Sequence, residues 1–110
     1  MLLTKKTILQ RLKKNAPEIS KFGVLQIGLF GSYVREEQTN KSDIDIFVEF
    51  DTQKESYDNF INLCFLLDDV FKNKKVEVVT KKGLSPYIGP KILKEVEYVT
   101  LTAWFFWGIF

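Results

Sequence analysis

At 110 residues the chain has room for one domain and one modest core, and its hydrophobic (45%) and charged (27%) shares are those of a globular protein rather than a disordered one. A net charge of +2 gives little reason to expect a long polyanion as partner, so direct nucleic-acid binding is not expected. Histidine is absent, which excludes Ser-His and Cys-His catalytic arrangements and the common zinc sites; the single cysteine, Cys64, excludes an internal disulfide and fits a reducing, cytoplasmic setting.

Leu2-Leu3 is too short an apolar stretch for a signal peptide, and Lys5-Lys6 follow it directly. Thr4 reads as the N-cap of a helix to about Asn15, with Ile8, Leu9 and Leu12 on its apolar stripe. Pro17 ends that helix or starts a short new turn, and Gly23 breaks the chain before a first strand. That strand, Val24 to Phe30, alternates: Leu25, Ile27 and Leu29 share a face expected to be core. Gln26, Gly28 and Phe30 share the other, where the glycine lets something approach the backbone closely. A turn at Gly31-Ser32 leads into a short helix from Tyr33 to Glu37 and a polar loop to Ser42.

Asp43 to Phe50 reads as a second strand, with Ile44, Ile46, Val48 and Phe50 inward and Asp43, Asp45, Phe47 and Glu49 opposite. Ser56 can cap a helix from Tyr57 to Phe71, its stripe made of Phe60, Ile61, Cys64, Leu67, Val70 and Phe71. Val76 to Val79 is a third strand, with Glu77 and Val79 on one side. Ser85-Pro86 and Gly89-Pro90 punctuate a loop, and Pro90 can open a last helix reaching about Val99. The order suggests an α+β domain over residues 1–99, a small sheet with helices mainly on its apolar face.

Residues 100–110 form an aromatic tail in which Trp104, Phe105, Phe106, Trp107 and Phe110 crowd together. It is too short for the ~20 residues of a membrane span, so a soluble protein with no membrane association is expected. Exposed, such a patch is a candidate docking segment for another subunit; folded back, it is simply an apolar end.

The chemistry concentrates between Ile27 and Phe50. Asp43 and Asp45 are two apart on a strand, so both carboxylates leave the same face. At about 4 Å in a partly shielded site they would repel by about 4 kcal/mol at an effective dielectric near 20, which a divalent cation such as magnesium reverses. Glu77 on another strand can supply a third carboxylate, and three carboxylates can hold two ions. The Gly31-Ser32 turn complements them, with backbone N–H groups and a hydroxyl suited to phosphate oxygens. Taken singly, Gly-Ser is a common turn, Asp-x-Asp a common solvated strand face, and Arg35, Glu36 and Glu37 a solvated helix face. The lysines at 72, 74, 75, 81 and 82 read as exposed charge. The combination is what points to a nucleotide-handling site.

Gly31-Ser32, ten residues, then Asp43-Ile44-Asp45 resembles the G-S-x10-D-x-D signature of the minimal nucleotidyltransferases in the DNA polymerase β-like superfamily. The likeness runs from about Thr4 to Val99, through FGVLQIGLFGSYVRE, SDIDIFVEF, KVEVVT and the closing KEVEYV. It also resembles the antitoxin half of HEPN/MNT toxin–antitoxin pairs, whose better-known members transfer AMP from ATP to a tyrosine of the toxin. The resemblance implies a polymerase β-like nucleotidyltransferase fold and a Mg2+-dependent enzyme using ATP, with two ions. It implies that Gly31 and Ser32 bind the triphosphate, that Asp43 and Asp45 hold metal, and that Glu77 is the third ligand and candidate base. A HEPN toxin would be the partner, in a homo- or hetero-oligomer that supplies the acceptor face. Glu77 stands where the family usually has aspartate, and Glu36 where many members have glycine, placing an extra negative charge near the expected phosphates. A non-catalytic antitoxin acting by occlusion is the alternative; a small-molecule or RNA-end acceptor is a third.

Overall fold

Thr4 Oγ1 accepts the Thr7 N–H at 3.2 Å and caps α1 (Lys5–Lys14), whose Ile8 and Leu12 are fully buried. This geometry comes from a computed structural model that describes residues 3–101. Pro17 lies in the first turn of α2 (Ala16–Lys21), where its missing N–H costs no helical bond. Then follow β1 (Val24–Phe30), α3 (Ser32–Arg35), β2 (Ile44–Phe50), α4 (Tyr57–Val70), β3 (Val76–Thr80), a 3₁₀ turn at Lys81–Gly83, α5 (Gly89–Glu95) and β4 (Glu97–Val99). The sheet order is β3-β2-β1-β4, with β1 antiparallel to both neighbours and β2 parallel to β3. A parallel pair needs a long crossover, which α4 provides.

One face of the sheet carries the main core. Ile27 and Leu29 of β1 and Ile44, Ile46, Val48 and Phe50 of β2 pack there with Ile8, Leu12, Ile19, Leu63, Leu67 and Phe71 from α1, α2 and the α4 region. The opposite face carries a smaller cluster of Phe30, Phe47 and Ile92, backed by Val79, Leu84 and Val96. Thus α5 covers part of the face that also bears the acids, and the helices lie mainly, not wholly, on one side. The result is the mixed α+β sheet expected from the sequence.

Three expectations are corrected. Leu25 is 55% exposed, not core. Val24 pairs with Phe50 and Gln26 with Glu49, so Leu25 is the extra residue of an irregularity that resets the alternation. On α4, Leu63 is fully buried while Phe60 is only partly so, because the helix presents a slightly rotated face. The last helix does not reach Val99. It stops at Glu95, Val96 takes extended geometry (ψ 130°), and Glu97–Val99 pairs with β1. A β-branched valine at the exit and the alternation of Glu97, Tyr98 and Val99, with Val99 buried, favour a strand there. The aromatic residues from Trp104 onward lie outside the described residues.

Gly28 explains why β4 can sit so close. A Cβ at that position would lie 2.8 Å from the Glu97 carbonyl oxygen and would also strike Val96, so β4 is what approaches this glycine. Gly28→Ala is expected to displace β4 and lower stability by roughly 1–3 kcal/mol in urea denaturation, the usual scale of overpacking. A change below about 0.5 kcal/mol would show that β4 accommodates the methyl freely.

Candidate active site

The β1 strand delivers the chain into a turn that only glycine makes easily. Gly31 has φ 81° and ψ −154° and caps α3, its carbonyl accepting the N–H groups of Val34 (3.1 Å) and Arg35 (3.2 Å). The N–H groups of Ser32 and Tyr33 precede these first helical bonds. A side chain at position 31 would also run into the Asp45 carboxylate, so turn and acid are in direct apposition. Tyr33, buried to 1% exposure, pins the short helix to the main core.

Asp45 stands beside Phe30 of β1 on one side and Glu77 of β3 on the other. Asp43 immediately precedes β2 and is partly exposed. Burial pushes the Asp45 carboxyl up to about 6, helped by the negative charges of Glu77 and Asp43 and by hydrogen bonding to Glu77, with Arg35 pulling the other way. Asp45 therefore feels the charge of both other acids predicted from sequence. The three are not clamped into a ready-made cage: among the described residues no group of three such side chains encloses an ion, and Glu77 Oε1 faces Lys75 Nζ at 3.4 Å. Their donor chemistry still fits a divalent cation, since the set offers only hard oxygens and a repulsion that positive charge relieves.

A fourth acid belongs to this arrangement, and nothing in the sequence periodicity singled it out. Glu95, the last residue of α5, accepts the Gly31 N–H at 2.7 Å through Oε2 and the Arg35 guanidinium at 2.5 Å through Oε1. Although partial burial acts to raise it, the Gly31 N–H and Arg35 hold the Glu95 carboxyl below its ordinary value. Arg35 lies on an exposed helix face as expected and is also bridged to both Glu95 and Glu37. The closing KEVEYV segment contained Glu95, but its partners lie far away in sequence.

Glu36 and the lysine cluster take the following positions. Glu36 sits in the left-handed region (φ 58°, ψ 36°) at the C-cap of α3, where glycine fits without strain. Its carboxylate faces Lys5 Nζ at 3.8 Å. The lysine cluster is exposed charge as expected, apart from the partly buried Lys74, and is paired at the surface. Lys74 Nζ donates to the carbonyls of Asn40 (2.8 Å) and Ser42 (3.4 Å), fastening the loop that carries Asp43, while Lys72, Lys75, Lys81 and Lys82 each face a carboxylate. A groove of about 520 Å³ between α1 and β4, lined by Leu9, Tyr98 and lysines, does not include the acids.

The nucleotidyltransferase domain profile matches residues 5–99, so the chain belongs to that family and is a nucleotidyltransferase. A Methanocaldococcus jannaschii protein carrying the provisional name protein adenylyltransferase is 41% identical over 96 residues, covering 86% of this chain and 93% of that protein. The protein adenylyltransferase MntA of Thermococcus cleftensis is 41% identical over 93 residues, covering 84% and 90% respectively. A solved structure provisionally labelled a minimal nucleotidyltransferase superposes with a TM-score of 0.74 at 23% identity, over 86% of this chain and 95% of the other. The crystal structure of a toxin–antitoxin with AMP-PNP superposes at 0.59 and 26% identity, over 87% of this chain and 72% of the other.

Because the Asp45 carboxyl is raised on folding, the native state holds its proton more tightly than the unfolded chain does. Stability is thus lost as pH rises from about 4 toward about 6. Asp45→Asn is expected to stabilise the metal-free protein near neutral pH by on the order of 1 kcal/mol after allowance for solvent screening, with the gain vanishing near pH 4. Thermal melts at the two pH values check this; an equal shift at both would place the cause in packing. Glu36→Gly should raise stability by about 1 kcal/mol through relief of the left-handed strain, read by urea denaturation.

Proposed function

We infer that this chain transfers a nucleoside monophosphate, AMP from ATP, to a hydroxyl of a partner protein, and that the partner is a HEPN-type toxin modified on tyrosine. The observation that carries this reading is the apposition of a partly buried, charge-crowded Asp45 with the positive-φ Gly31 turn. The similarity to MntA and to a toxin–antitoxin crystallised with AMP-PNP supports the antitoxin role, the toxin partner and the nucleotide. Gly31 and Ser32 hold the triphosphate through the N–H groups of Ser32 and Tyr33 and the Ser32 hydroxyl. Asp43, Asp45 and Glu77 would hold Mg2+, two ions at full occupancy, which when bound neutralises phosphate charge and activates the attacking hydroxyl. Glu77, half-exposed on the sheet face, takes the proton as the hydroxyl oxygen bonds to the α-phosphorus and pyrophosphate leaves. The remainder of the rate enhancement is positioning by the turn and the strands that frame it.

The alternative is neutralisation by occlusion, favoured by one observation: Glu77 is longer than the usual aspartate and is turned to Lys75. Incubation of purified chain and toxin with Mg2+ and α-labelled ATP separates the two. On the enzymatic reading label appears on the toxin, and Asp43→Asn or Asp45→Asn lowers the rate by at least about 100-fold while leaving the complex intact. Glu77→Asp should retain or raise the rate. Toxin silenced without ATP and without label, equally by both asparagine variants, would establish occlusion. Mg2+ should also raise the melting temperature more near pH 7.5 than near pH 5, roughly, since protons and metal compete for Asp45.

A further inference from the structure

Glu95 reaches the phosphate turn from an element that the signature does not include. Its side chain is only 16% exposed, and its two oxygens are spent on two different points of the same short segment. One takes the N–H of Gly31, where the turn begins; the other takes the guanidinium of Arg35, the last residue of α3. Gly31 is itself buried, so its N–H depends on this carboxylate for a partner. The carboxylate is held in place in turn by α5, whose Ile92 packs on Phe30 and Phe47, the aromatic residues nearest Gly31 and Asp45 in the two central strands.

We propose that Glu95 is a positioning residue of the transfer reaction: it clamps both ends of the Gly31–Arg35 turn, setting the angle at which the Ser32 and Tyr33 N–H groups meet a nucleotide triphosphate. Proposal and site are linked, since this inference rests on the reading that the turn holds ATP. Arg35, tied to Glu95, is kept as part of the turn rather than free to fall onto Asp45, to which its charge is already coupled. The clamp acts on the phosphates and not on the base, so its removal should erode discrimination between a triphosphate and a monophosphate.

The test is calorimetric titration of the full chain with AMP-PNP and with AMP, in Mg2+, for wild type, Glu95→Gln, Glu95→Asp and Glu95→Ala. Glutamine keeps an oxygen for the Gly31 N–H but turns a donor toward Arg35, so it opens one end of the clamp and should weaken AMP-PNP by about threefold, between wild type and the short variants. Aspartate is shorter by about 1.5 Å and cannot span both partners; it and alanine should weaken AMP-PNP by about tenfold or more while changing AMP by less than about threefold. If alanine fails to fold, aspartate carries the comparison. Equal losses for AMP-PNP and AMP, or no loss in either short variant, would overturn the clamp and leave Glu95 a structural residue. Failure of the wild type to bind AMP-PNP would instead remove the nucleotide reading of the turn, and this inference with it.

Discussion

The carboxylate of Asp45 is pressed against the backbone of Gly31 on one flank and against the charge of Glu77 on the other, and the rest of the site answers to that crowding. It requires glycine at the turn, since any side chain would occupy the space of the carboxylate. It leaves an ionised Asp45 costly in the absence of a cation, the opposite of what selection for stability alone would favour. It also fixes strand order: Asp45 touches both a β1 and a β3 neighbour only because β2 lies between them. On the proposed reading, a bound cation would relieve this repulsion.

Around that centre the supporting contacts come from all along the chain. Lys74, just before β3, holds the loop that presents Asp43, and the Ile44 N–H donates to the Lys75 carbonyl at 2.9 Å to start the strand beside it. Phe47 and Phe30 give the acid-bearing face a small apolar floor, closed by Ile92 and edged by Tyr98, whose ring meets Phe47 edge-on at 6.2 Å. The acids are therefore held on a packed surface even though their tips remain open to solvent.

Much of this was readable from residue order. The alternation of Ile44, Ile46 and Val48 with Asp45 and Phe47 set the faces of β2 correctly, and Ser56 and Thr4 announced their helices through side chains that do cap them. Gly31-Ser32 and Asp43-Ile44-Asp45 were conspicuous because few structural needs place such residues at that spacing. Leu25 was misread because an irregular pairing step breaks a period that local pattern assumes continuous. The helix expected up to Val99 was misplaced because its final residues form a strand only by virtue of Gly28, some 70 residues earlier (99 − 28 = 71). Glu95 was invisible for the same reason: its meaning lies in a partner remote in the chain.

The bond between Gly31 and Glu95 spans 64 positions, and this sets an order of events during synthesis. A nascent polypeptide exposes the glycine, the serine and all three acids before the residue that fastens the turn has left the ribosome. Until α5 docks, every conspicuous feature of the signature is present but the Gly31 N–H lacks its carboxylate partner. Closure of the turn is thereby deferred to the docking of α5.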